Sequence, residues 1–189
     1  MKMHNAIQIP EHKIDLSNWG LSGSSILVSE KRLGQLKGIF LDEESFEAMD
    51  PEQFIYCVQA IHPVQEGTEG GLFFGNTTIM PGKVGNEFFM TRGHLHEIEN
   101  RAEYYWGING QGVLISMDRE GKTWAEKMFP GSLHYIDGYT VHRVANIGDT
   151  PVKFGACWPS DAGHNYDGIY EKGIAARLIE KEGEPVLIE

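Results

Sequence analysis

From residue 53 to about residue 158 the chain is a succession of short apolar runs broken by polar turns. "QFIYCVQAIH", "GGLFFGNTTIM", "NEFFMT", "EYYWGIN", "GVLISMD", "TWAEKMF", "SLHYI", "HRVANI" and "VKFGACW" are rich in aromatic and β-branched residues and read as strands. The turn signals "NGQG", "DREGK", "FPGS", "DGYT" and "GDTP" lie between them. Many short strands at this spacing predict an antiparallel sandwich or barrel.

The flanks read differently. Residues 1–50 form an N-terminal extension, in which "SSILVSEKRLGQLKGIF" predicts a strand and a short helix and "DEESFEAMD" a capped helical turn or two. Residues 51–160 hold the barrel core. Residues 161–189 begin as a polar loop and predict a short helix and a last strand. There is no repeat and no low-complexity tract, so a single domain of 189 residues is expected.

Composition narrows the function classes. A hydrophobic content of 41% is globular. The net charge of −11 and pI near 5.1 speak against a nucleic-acid partner, which needs a basic face. They leave room for a small phosphorylated ligand, because a few local donors outweigh a distant average charge. No run reaches the length of a membrane span, and "MKMHNAIQIPEHK" lacks the apolar centre of a signal peptide. Cys57 and Cys157 stand far apart in apolar runs and read as reduced thiols, which makes the cytoplasm the expected compartment.

The stretch "RGHLHEIENRAEYYWG", residues 92–107, places ionisable groups where apolar strand would be expected. His94 and His96, at i and i+2, share one face of an extended strand. Glu103 opens the next run, and a turn through "EIEN" would return it beside them as a hairpin partner. His142 opens "VHRVANI" after the "DGYT" turn. An HxH pair alone is common on solvated strands. Several imidazoles with one carboxylate, however, suit Fe²⁺, Mn²⁺, Ni²⁺, Co²⁺ or Zn²⁺, and a cation would let Glu103 lie inside a barrel. Near this site, Thr77 and Thr91 offer hydroxyl donors for a phosphate, Gly93 permits close backbone approach, and Lys83 or Arg92 offers charge. The plain alternative is that the threonines fill strands and the two cations are solvated turn residues.

Residues 94–110 resemble the first cupin motif, and "GSLHYIDGYTVHRVAN" resembles the second through Gly131, His142 and Asn146. Asp137 and Tyr139 replace its proline and glycine. More specifically, "TTIMPGKVGNEFFMTRGHLHEIENRAEYYWGINGQG" and "VHRVANIGDTPVKFGACWPSDAGHNYDGI" resemble the cupin-type glucose-6-phosphate isomerases over about residues 50–175. The resemblance implies an all-β, double-stranded β-helix (the cupin or jelly-roll barrel) with short peripheral helices. It implies one divalent metal per subunit, Fe²⁺ before Mn²⁺, Ni²⁺, Co²⁺ or Zn²⁺, held by His94, His96, Glu103 and His142. It also implies catalytic roles for Glu103, His164 and Tyr105, and sugar contacts at Tyr56, Tyr105 and Tyr166. Phosphate contacts fall at Thr77, Thr91, Gly93 and Trp158, the last standing where the family has a tyrosine.

The implied reaction is aldose–ketose isomerisation of glucose 6-phosphate and fructose 6-phosphate in glycolysis and gluconeogenesis, by a homodimer. Glu103 as base through a cis-enediol and a direct hydride shift both remain open. The rivals are an isomerase for another sugar phosphate, an iron dioxygenase, and a non-catalytic sugar-binding cupin. His4, His12, His62 and His134 are expected to be structural or surface residues.

Overall fold

The alternating runs become antiparallel strands in the computed structural model of the protein, which describes residues 9–163 and 174–189. A two-residue ladder of β1 (Lys13–Ile14) and β2 (Leu21–Ser22) precedes β3 (Leu27–Arg32), a 3-10 turn (Leu33–Leu36) and helix α1 (Glu43–Ala48). The Asp42 carboxylate caps α1 by accepting the Ser45 N–H at 2.9 Å, which satisfies one of the free donors at the helix start. Next come β4 (Phe54–Ile61), β5 (Leu72–Ile79), β6 (Lys83–Val84) and β7 (Glu87–Phe88). They are followed by β8 (Glu103–Asn109), β9 (Gly112–Met117), β10 (Thr123–Met128), β11 (Leu133–Ile136), β12 (Val141–Asn146) and β13 (Val152–Pro159). β14 (Arg177–Lys181) and β15 (Glu184–Ile188) end the chain.

The strands form a six-stranded sheet ordered β11-β8-β13-β5-β4-β3, a three-stranded sheet β10-β9-β12 and a four-stranded sheet β15-β14-β7-β6. Neighbours in these sheets are repeatedly distant in sequence, as the cupin double-stranded β-helix requires. One apolar cluster draws on all three sheets, including Ile79, Phe154 and Tyr105 from the first, Leu114, Ile115 and Val144 from the second, and Val84, Phe88 and Leu178 from the third. The sheets therefore share a single core.

The expected last strand of the tail is present, with Arg177–Lys181 pairing with Glu184–Ile188 as a hairpin; no helix lies among the tail's described residues, and residues 164–173 fall outside them. "RLIEK" has the residue types of a helix, but Leu178 is buried and Arg177 donates to Glu87 at 3.2 Å. These tertiary contacts override local propensity.

The run "NEFFMT" is only partly regular. Beyond Phe88 the chain lies along β12: Thr91 donates to the Val144 carbonyl at 2.9 Å, and His94 and His142 exchange backbone hydrogen bonds at 3.2 Å. Three residues on this segment thus oppose two on β12, which is a β-bulge. Gly93 sits in it at φ 83°, a conformation that costs glycine little. A side chain there would also come within 3.2 Å of the His142 carbonyl oxygen.

Candidate metal centre

β8 enters the core at Glu103 from the six-stranded sheet, while β12 and the segment beside it bring His142 and His94 from the other side. The expected hairpin between the HxH segment and Glu103 does not form. His94 bridges His142, and β8 pairs with β11 and β13. The loop between His96 and Glu103 crosses from one sheet to the other, so the carboxylate faces the imidazoles across the barrel.

The four side chains meet at one carboxylate oxygen. Glu103 Oε1 lies 2.8 Å from His142 Nε2, 3.2 Å from His96 Nε2 and 3.6 Å from His94 Nε2. Ligand atoms of His94, Glu103 and His142 all lie within 4.8 Å of one another, and His96 joins them through Glu103. Glu103, His96 and His142 are buried. Burial by itself raises the Glu103 carboxyl, and positive charge on the imidazole side, at His142 first, pulls it well below the usual carboxylate range.

The orientation of the rings matters as much as their distance. His142 Nδ1 faces the Thr140 carbonyl at 3.1 Å, and His96 Nδ1 faces the Arg101 carbonyl. A carbonyl only accepts, so each Nδ1 carries the proton and each Nε2 turns its lone pair inward. Metal-binding histidines are commonly held in this way. Meanwhile the buried Glu103 Oε1 makes no well-aligned hydrogen bond among the described residues. Desolvating a carboxylate costs several kcal/mol, and lone pairs aimed at it do not offset that cost. A divalent cation does, so the donor set fits one.

A cavity of about 330 Å³ opens beside this cluster, and His94 and Glu103 form part of its wall. Its floor space follows from strand register. The row Tyr105–Ala156–Gly75–Ala60 crosses β8, β13, β5 and β4, and small residues at three of its places leave a slot. The next row, Phe154–Thr77–Val58, lies beneath. Tyr56, Thr77, Thr91, Gly93, Tyr105 and Trp158, all expected at the site, line the cavity, as does Arg92. Tyr105 Oη lies 3.2 Å from His142 Nε2. Lys83 is elsewhere, paired with Glu180. His164 and Tyr166 lie outside the described residues.

Two ionisable wall residues, His62 and Lys31, were missed from sequence. His62, expected to be structural or on the surface, lines the cavity, stacked on Phe73 with ring centroids 3.8 Å apart and edge-on to Trp158. The signal was present in the alternation of β4, since Tyr56, Val58, Ala60 and His62 share a face. Lys31 reaches the wall because it stands opposite Tyr56 in the ladder, and a lysine on an edge strand carries no such signal. Among the other histidines, His134 is structural as expected, bridging Glu126 at 2.7 Å and Ser132 at 2.9 Å. His12 contacts the Ser24 carbonyl at an exposed position, and His4 lies outside the described residues.

A sequence model of the family described as "Glucose-6-phosphate isomerase (GPI)" matches residues 30–187. The glucose-6-phosphate isomerase of Thermococcus kodakarensis is 43% identical over 177 residues, covering 93% of this chain and 92% of that one. That of Pyrococcus horikoshii is 41% identical over 181 residues, covering 94% and 93%. Among solved structures, oxalate decarboxylase from Bacillus subtilis shares 21% identity over 59% of this chain and 27% of its own, with a TM-score of 0.47, a likeness too partial to bear weight. The matches in sequence extend over nearly the full length of both partners, and by them the chain belongs to the glucose-6-phosphate isomerase family.

Proposed function

We propose that the protein interconverts glucose 6-phosphate and fructose 6-phosphate with one divalent cation per subunit, Fe²⁺ by preference, held by His94, His96, Glu103 and His142. The observation that carries this reading is the convergence of three imidazole Nε2 atoms on the Glu103 carboxylate at the wall of a sugar-sized cavity. When bound, the cation supplies Lewis-acid polarisation of the carbonyl end of an open-chain sugar.

The chain's own residues do the rest. Thr77, Thr91, the Gly93 backbone and Trp158 receive the phosphate, aided by the charge of Arg92. Anchoring that end holds the reacting carbons in place and converts binding energy into a lower barrier. Tyr56, Tyr105 and Tyr166 orient the sugar hydroxyls. Glu103 and the Tyr105 hydroxyl stand beside the reacting end, placed to hold or move its proton. His164 assists ring opening, a task suited to an imidazole near neutral pH.

The protein acts as a homodimer in glycolysis and gluconeogenesis, in the cytoplasm. Unpaired Cys57 and Cys157 accord with a reducing compartment. Among the described residues no helix is long and apolar enough to cross a membrane.

The test is a coupled assay converting fructose 6-phosphate, run after chelation and again with each divalent ion restored. Chelation should abolish turnover and one or more ions should restore it, while His94→Ala and His142→Ala should each cost about 100-fold or more in metal affinity or activity. Normal turnover by either variant without added metal refutes the assignment. Oxygen uptake without sugar-phosphate turnover assigns the centre to oxygen chemistry instead.

A further inference from the structure

We infer that Arg101 and Asp161 form a positioning pair that sets the orientation of His96 and thereby the metal affinity of the centre. The inference rests on the proposed metal-binding reading of the four ligands. Arg101 works with both of its ends. Its backbone carbonyl accepts from His96 Nδ1, which directs His96 Nε2 toward Glu103 at 3.2 Å. Its guanidinium forms a two-point contact with the Asp161 carboxylate, Nε to Oδ1 at 3.0 Å and Nη2 to Oδ2 at 2.8 Å. A planar fork of this kind fixes direction as well as distance, which a lysine ammonium does not do.

The surroundings leave this loop little freedom. The Ile98 N–H donates to the Ala162 carbonyl at 2.9 Å, a second tie between the same two stretches of chain. Gly138 packs directly on the loop backbone: a side chain there would come within 2.5 Å of the nitrogen and carbonyl oxygen of Arg101. Gly138 belongs to the same "DGYT" turn as Thr140, whose carbonyl faces His142 Nδ1. The backbone carbonyls that orient His96 and His142 therefore come from loops in contact, and Asp161 holds one of them from outside. The arginine of "RAE" and the aspartate of "DAGH", which the ligand set does not use, find a role here.

The experiment titrates Mn²⁺ into metal-free protein by electron paramagnetic resonance. Wild type, Asp161→Asn, Arg101→Lys and His94→Ala are compared, and the His96 Nδ1–H signal is followed by NMR in the metal-free state. Asp161→Asn and Arg101→Lys should each weaken Mn²⁺ binding about tenfold, the usual size of an outer-shell effect, and hasten exchange of that N–H. Asp161→Asn also removes a negative charge, whereas Arg101→Lys conserves charge, so a loss shared by both reports on geometry. Glu180→Gln, which breaks the remote pair with Lys83, is the control for a merely structural effect and should leave Mn²⁺ affinity unchanged. Affinity within twofold of wild type in both clasp variants overturns the inference. Unaltered Mn²⁺ binding in His94→Ala overturns the metal-centre reading itself, and this inference falls with it. Should Asp161→Asn fail to fold, Arg101→Lys decides alone.

Discussion

Thr91 shows how one side chain holds the fold together and also faces the cavity. Its hydroxyl oxygen accepts the Val144 N–H at 3.1 Å, which leaves the hydroxyl proton to donate elsewhere, and Thr91 lines the cavity. Thr91→Val removes that donor and also strips a partner from the N–H of a fully buried residue, at about 1–3 kcal/mol. Two effects are therefore expected together: a KM for fructose 6-phosphate raised about tenfold, and a thermal midpoint lowered by about 2–4 °C per kcal/mol lost. Thr91→Ser should behave as wild type in both. A Thr91→Val enzyme of unchanged KM would take Thr91 out of the phosphate contacts. That a hydroxyl stood near the HxH segment was legible in sequence. That its lone pair was already committed was not, because Val144 lies far along the chain.

Among the elements, β12 carries the most. It presents His142 near one end and Asn146 at the other. Buried Asn146 donates to the carbonyls of Ile79 at 2.9 Å and Thr150 at 3.0 Å and accepts the Gly148 N–H at 2.9 Å. It joins β5, the turn into β13 and the end of β12, which explains physically why the second cupin motif ends in asparagine. Asn146→Ala leaves several buried polar groups without partners, and should lower the unfolding free energy by about 2–4 kcal/mol in urea titration. Mn²⁺ affinity should stay near wild type, since His142, the proposed ligand on this strand, sits at its far end. A loss under about 0.5 kcal/mol would show that water replaces the amide. Arg143, on the same strand, is lowered to about 10 by burial and by nearby Arg177, with Glu87 opposing, so it stays charged at neutral pH. It spends one donor on the Ala176 carbonyl at 2.8 Å, fixing the entry to the closing hairpin. Long-range partners of this kind outweigh the helical preference of the few residues in "RLIEK" and hold them as a strand.

At the scale of the whole molecule, the two faces of the six-stranded sheet differ in a way that bears on assembly. The inner face holds Glu103 and Tyr105, and alternation sends Tyr104 and Trp106 outward. There Tyr104 meets Tyr135 with centroids 5.4 Å apart and Trp106 meets Phe74 at 5.3 Å. Tyr104, Tyr135 and Leu133 remain 47%, 58% and 67% exposed. An apolar sheet face of this kind is what a partner copy covers, and it supports the proposed homodimer. Tyr135→Glu should shift the protein toward monomer in sedimentation velocity while preserving its far-ultraviolet circular dichroism. A variant that sediments as wild type places any dimer contact elsewhere.

What belonged to the sequence alone was local. Period-two alternation and turn residues decided which runs became strands, since side chains of a strand must point alternately to core and solvent. The motifs likewise singled out His94, His96, Glu103 and His142, whose side chains gather at one carboxylate oxygen. Tertiary structure alone decided which strands met. It placed His94 against His142 rather than Glu103, aligned Ala60, Gly75 and Ala156 into an open slot, and bent Arg101 back to Asp161. Each of these depends on residues brought together across the barrel, and such contacts are selected by the packing of the whole core rather than by the pattern of any one segment.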